Sequence, residues 1–110
     1  MYGLNEKDIE TIIEILRKAP EVESAVLFGS RAKGNFKRGS DVDLAIQGNL
    51  ANTQIASAIS GVLNEDTLMP YRFDVISYTD LDHKDLAAHI DRVGKVIYRK
   101  ASYADAPLIN

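Results

Sequence analysis

The sequence predicts an α/β (α+β) fold, with one central sheet of about four strands flanked by helices. Three observations predict it. Apolar residues recur at helical spacing in three separate stretches. Four short apolar runs of strand length lie between and after them. The two kinds of segment take turns, in the order αβ(α)βαβαβ, which is the pattern of helices laid against one sheet.

Each element has its own signal. Asn5 is an N-cap with Asp8 three residues on, and Leu4 and Ile9 are placed as a hydrophobic staple. Ile9, Ile12, Ile13 and Leu16 form the stripe of this first helix, which Pro20 ends. Ala25-Val26-Leu27-Phe28 reads as a buried strand stopping at Gly29-Ser30. Residues 30–34 suit a turn of helix, and the polar run from Lys33 to Ser40, with Gly34 and Gly39, suits a loop. Asp41 to Ile46 is the second strand. Asn52 or Thr53 caps a helix with the stripe Ile55, Ile59, Val62, Leu63. Tyr71 to Ser77 follows Pro70 as a third strand, and Asp80 opens a helix carrying Leu86, Ala87, Ile90 and Val93. Gly94 fits the C′ position after that helix, and Lys95 to Tyr98 is a fourth, short strand.

At 110 residues and 12.1 kDa, the chain has the size of one domain that buries roughly two-thirds of its unfolded surface. No linker, repeat or low-complexity run divides it, so residues 1–100 read as a single domain and 101–110 as a tail, disordered or docked. It lacks cysteine, which excludes disulfides and thiolate zinc sites. A net charge of −3 and a pI near 5.3 argue against a duplex nucleic-acid partner, which needs a dense basic footprint. No apolar run approaches the roughly 20 residues of a membrane span, and the first residues carry no signal pattern. A cytoplasmic protein is expected.

Three acids interrupt strand patterns. Asp41 and Asp43 alternate with Val42 and Leu44, so both leave one face of a strand, about 7 Å apart at Cα, while Val42, Leu44 and Ile46 face the core. Asp74 interrupts Phe73-Val75-Ile76 in the same way. By itself a D-x-D pair is more often a solvent-facing pair on a half-exposed sheet. Buried together, such like charges need a cation, and oxygen donors without cysteine or a nearby histidine favour magnesium or manganese. The preceding segment supplies the complement. Gly29 allows backbone amides to approach an anion, Ser30 offers a hydroxyl, and Arg31, Lys33, Lys37 and Arg38 add positive charge. An anion cradle, a basic loop and a carboxylate pair in succession suit a nucleoside triphosphate with metal.

Gly29-Ser30, ten intervening residues, then Asp41-x-Asp43 resembles the signature of the polymerase-β-like nucleotidyltransferase superfamily. The fuller text, Leu27-Phe28-Gly29-Ser30-Arg31-Ala32-Lys33-Gly34 with Ser40-Asp41-Val42-Asp43-Leu44, is similar to its minimal nucleotidyltransferase branch, which includes antitoxins encoded beside HEPN-domain toxins. The similarity spans Ala25 to Tyr98. It implies a nucleotidyltransferase fold with a mixed sheet, two magnesium ions (or manganese) on Asp41, Asp43 and Asp74, and ATP as substrate. Gly29 and Ser30, with Arg31 or Lys33, would bind phosphates. It further implies transfer of AMP to a tyrosine of a HEPN ribonuclease toxin, which neutralises that partner. Two other functions remain open: a binding module silencing a toxin by contact alone, and the catalytic half of a two-component transferase for a small molecule or RNA end.

The remaining polar residues have plainer readings. His83 and His89 do not share a helix face and read as surface or capping groups. Tyr71 and Tyr78 read as packing residues, with nucleotide stacking as the sharper alternative. Arg72, two before Asp74 and on the same strand face, suits an ion pair with that carboxylate, with a phosphate contact as the alternative. Leu108 and Ile109 would suit a homo- or hetero-oligomer interface.

Overall fold

The computed structural model describes residues 1–101; the expected tail, with Leu108 and Ile109, lies outside them apart from Ala101. Helix α1 spans Glu6–Arg17. The Asp8 N–H donates to the Asn5 side chain at 2.7 Å and the Asn5 N–H donates to Asp8 Oδ2 at 3.2 Å, closing the reciprocal cap. Strand β1 (Ser24–Phe28) runs straight into the short helix α2 (Gly29–Lys33). Then come β2 (Val42–Gln47), α3 (Thr53–Glu65), β3 (Phe73–Ser77), α4 (Lys84–Val93) and β4 (Lys95–Arg99).

The sheet order is β3-β2-β1-β4. β1 is antiparallel to both β2 and β4, and β2 is parallel to β3, so the sheet is mixed, as the resemblance implies. Alternation gives it two unlike faces. Ala25, Leu27, Val42, Leu44, Ile46, Phe73 and Val75 pack with Ile12 and Leu16 of α1 and Ile59 and Leu63 of α3 into the main core. The opposite face carries a smaller cluster, Val26, Phe28 and Ala45, beneath Ile90 of α4. That thin second layer leaves one end of this face open, where β1 ends and β2 and β3 begin.

Several local expectations change. β2 begins at Val42, leaving Asp41 just outside the strand, and β3 begins at Phe73 rather than Tyr71. On α3, Ala56 is buried and Val62 is exposed, because the helix presents the face of Ile59 and Leu63 to the sheet. Asp80 does not open α4. Its carboxylate accepts from the N–H and Oγ1 of Thr53, holding the start of α3 instead, and His83 caps α4 by accepting from the Leu86 N–H at 3.0 Å.

Gly94 does end α4, as expected, but in an extended conformation with φ −61° and ψ 144°. Glycine is required there because a Cβ would overlap the Ile90 carbonyl and Val26 Cγ1, where the chain leaves α4 and drops onto the sheet. Gly94→Ala is therefore expected to destabilise by about 1–3 kcal/mol through overpacking. Gly61→Ala, which meets only ordinary contact on α3, should gain about 0.5–1 kcal/mol from helix propensity. Urea denaturation midpoints of the two variants check both signs.

Candidate active site

The site forms at that open end. Register places Phe28 opposite Asp43 across β1 and β2, and Asp43 opposite Asp74 across β2 and β3. Asp43 and Asp74 consequently leave the same face of neighbouring strands, whose backbones lie about 4.8 Å apart. Asp41 precedes the strand and is exposed, Asp74 is exposed, and Asp43 between them is half-buried. None of the three is fully buried, and Asp43 comes nearest to the expected buried acid.

The bend after β1 is built around this carboxylate. Gly29 has φ +73°, a conformation that side chains rarely adopt, and a Cβ there would overlap Asp43 Oδ2. Glycine serves both needs at once, turning the chain and leaving room for the acid. Ser30 is half-buried beside it, and its hydroxyl has no hydrogen-bond partner among the described residues. Lys33 stands exposed at the end of α2, and Lys37 and Arg38 are exposed on the following loop. A surface cavity of about 890 Å³ lies at the other end of the sheet around Glu21, Glu23, Ser24, Asn49 and Arg99, and contains none of these residues.

Burial pushes the Asp43 carboxyl above its ordinary range, and the Asp74 and Asp41 charges push it further. The Arg31 guanidinium opposes them. Among the described residues, no three acidic or histidine side chains close into a ready-made metal cage. Asp41 and Asp74 flank Asp43 from the solvent side. The donor set is all oxygen, and its central member carries uncompensated charge at partial burial. Those two properties fit a hard divalent cation.

Arg31 departs from the expected phosphate contact. Its side chain is 2% exposed, with Nε and Nη2 donating to the Ser40 carbonyl at 3.1 and 2.8 Å and Nη1 donating to the Tyr2 carbonyl at 2.9 Å. The guanidinium lies between the rings of Phe36 and Tyr71, 5.3 and 5.0 Å from their centroids. It ties the loop just before Asp41 to the N-terminal segment, and its charge reaches Asp43. Arg72 forms no ion pair with Asp74 among the described residues. Tyr71 and Tyr78 behave as packing residues, donating from their hydroxyls to Asp8 and Asp91.

Sequence reasoning missed one neighbour of the bend. The Gly29 N–H donates to His89 Nε2 at 3.3 Å. Sixty residues separate the two, and no spacing signal connects them. His83 is a capping residue, one of the two plain roles expected of the histidines.

Residues 10–103 match the family model described as polymerase beta, nucleotidyltransferase. The chain belongs to this nucleotidyltransferase family. It is 36% identical over 101 residues to the protein adenylyltransferase MntA of Aphanizomenon flos-aquae, covering 83% of this chain. The chain spans 66% of that relative's length. Among solved structures, a toxin–antitoxin structure with AMP-PNP superposes with a TM-score of 0.61 at 23% identity, covering 84% of this chain and 74% of that one. A mutant of the toxin–antitoxin MntA-HpeT gives a TM-score of 0.59 at 24% identity, with 89% and 75% covered. These two likenesses show the shared nucleotidyltransferase fold.

Two outcomes follow from the site's construction. Arg31→Lys loses the fork that grips the Ser40 carbonyl, and each lost bond of this charged type costs about 1.5–3 kcal/mol. A lowered thermal midpoint of at least that equivalent is expected. For Asp43, the folded state holds the proton more tightly than the unfolded chain. Its favourable contribution is complete below the ordinary value of 3.8 and is lost as pH rises through the higher folded value. In chelator, Asp43→Asn should therefore melt above wild type at neutral pH, with the difference vanishing below pH 3.8.

Proposed function

We propose that the chain is a metal-dependent nucleotidyltransferase that moves AMP from ATP to a hydroxyl of a partner protein, and that this partner is a HEPN-type ribonuclease toxin, which the modification neutralises. The observation that carries the reading is the Asp43 carboxylate seated against the Gly29 bend, with Asp41 and Asp74 charging it from either side. The name of the MntA relative supports a protein acceptor, and the toxin–antitoxin neighbour with AMP-PNP supports an adenine nucleotide.

In this reading Asp41, Asp43 and Asp74 would hold two magnesium ions, or manganese. When bound, the ions supply charge neutralisation for the triphosphate and lower the pKa of the attacking hydroxyl. Gly29 and Ser30 take the β- and γ-phosphates through the backbone and the unpartnered hydroxyl, and Lys33 adds charge from the rim. A new bond forms between the acceptor oxygen and the α-phosphorus, and the bond to the β-phosphate oxygen breaks, releasing pyrophosphate. Asp74, exposed on the edge strand, is placed to receive the acceptor's proton. Arg31 takes no direct part; it holds Ser40, and with it Asp41, in place.

The test incubates the chain with magnesium, the protein encoded by the adjacent gene, and ATP labelled on the α-phosphate. Label on that protein is expected, together with none from γ-labelled ATP and loss of transfer in EDTA. Asp43→Asn should lower transfer by about 100-fold or more while remaining folded, since it removes a charged oxygen donor from the residues that would hold the metal. Transfer by that variant at the wild-type rate, or a stable complex that never acquires label, rejects the reading.

A further inference from the structure

We propose that His89 belongs to the triphosphate site: its imidazole holds the Gly29 N–H while the site is empty and yields that donor to a phosphate oxygen when a nucleoside triphosphate arrives. This deepens the nucleotidyltransferase reading and rests on it.

The geometry of α4 is what brings the imidazole there. The helix covers the sheet face that carries Asp43, through Ile90 on Val26, Phe28 and Ala45. His89, one residue before Ile90, is turned toward the end of β1, where its ring meets the edge of Phe28 at 6.2 Å and 81°. Nε2 accepts from Gly29, the same residue whose Cα leaves room for the Asp43 carboxylate. The side chain therefore touches the bend at the point where the phosphates are proposed to sit.

The contact is built to exchange. An Nε2 that accepts presents its lone pair to the N–H, so a phosphate oxygen seeking that hydrogen competes for the same position. At 3.3 Å the bond is longer than the usual 2.9–3.0 Å for a backbone donor to oxygen. A phosphate oxygen makes a charge-assisted bond, shorter and roughly twice as strong as one between neutral groups. His89 is half-buried and has solvent on one side, which leaves it room to turn away. The other histidine supplies an internal contrast. His83 Nδ1 accepts from the Leu86 N–H at the start of α4, away from the bend, and nothing in the proposed chemistry disturbs it.

Because the chain has only these two histidines, their ring nitrogens can be followed together in the untagged, full-length protein by nitrogen-15 NMR. The titrant is a non-hydrolysable ATP analogue with magnesium, and calorimetry supplies its Kd independently. The His89 ring and Gly29 amide signals should move together and saturate at that Kd, while the His83 ring stays still. His89→Phe keeps the edge contact with Phe28 and removes the competing acceptor. One neutral hydrogen bond's worth of competition disappears, so the analogue should bind about 2- to 10-fold more tightly. A His89 ring as unmoved as His83 while calorimetry records binding, or unchanged or weaker binding by a folded His89→Phe, overturns this inference and leaves the nucleotidyltransferase reading standing. No binding to the wild-type chain overturns both.

Discussion

The Asp43 carboxylate lies against a glycine whose missing Cβ leaves room for it, and the pairing of three strands meets at that contact. Antiparallel pairing of β1 with β2 sets Phe28 opposite Asp43, so the chain must turn at the next residue while clearing an acid. Parallel pairing of β2 with β3 then sets Asp74 beside Asp43 in register. A slip of one residue in either pairing would send an acid into the core between α1 and α3 and an aliphatic side chain into the site. Register is held by the continuous apolar set on the other face, Leu27, Leu44, Ile46 and Val75, which has nowhere else to go.

This arrangement sets function against stability. A half-buried acid with two like charges nearby raises the free energy of the folded chain at neutral pH, and the main core must offset it. Arg31 moderates the conflict without touching the acids. Its guanidinium is stacked between two rings and satisfied by backbone carbonyls, so its charge is fixed in position rather than free to follow a ligand. A surface lysine such as Lys33 has the opposite character, mobile and strongly hydrated. The two basic residues beside the bend look alike in the sequence and serve different ends.

The amphipathic α1 and α3, the β1 run ending at Gly29 and the Gly-Ser/Asp-x-Asp spacing are all legible without coordinates, because each depends on residues within a few positions of one another. So is the reciprocal cap of Asn5 and Asp8. Strand pairing is less local. The alternation of elements announces one sheet, and the family resemblance implies mixed pairing, but only the register shows that Asp74 stands beside Asp43. Asp80 was misplaced because its partner is distant, and Gly94, which does end α4, has a close approach that its own neighbourhood does not show. Each answers to a partner elsewhere, Thr53 in one case and Val26 in the other.

The sequence by itself determined the elements, their order, the three acids and the glycine-serine bend, since hydrophobic periodicity, caps and turn chemistry act over short spans of chain. The tertiary structure alone decided that Arg31 is a buried tie, that Asp43 is the acid under electrostatic load, and that His89 reaches the Gly29 N–H from sixty residues away. Burial, field and long-range hydrogen bonding are properties of what packs together. No window of sequence contains both halves of such a contact.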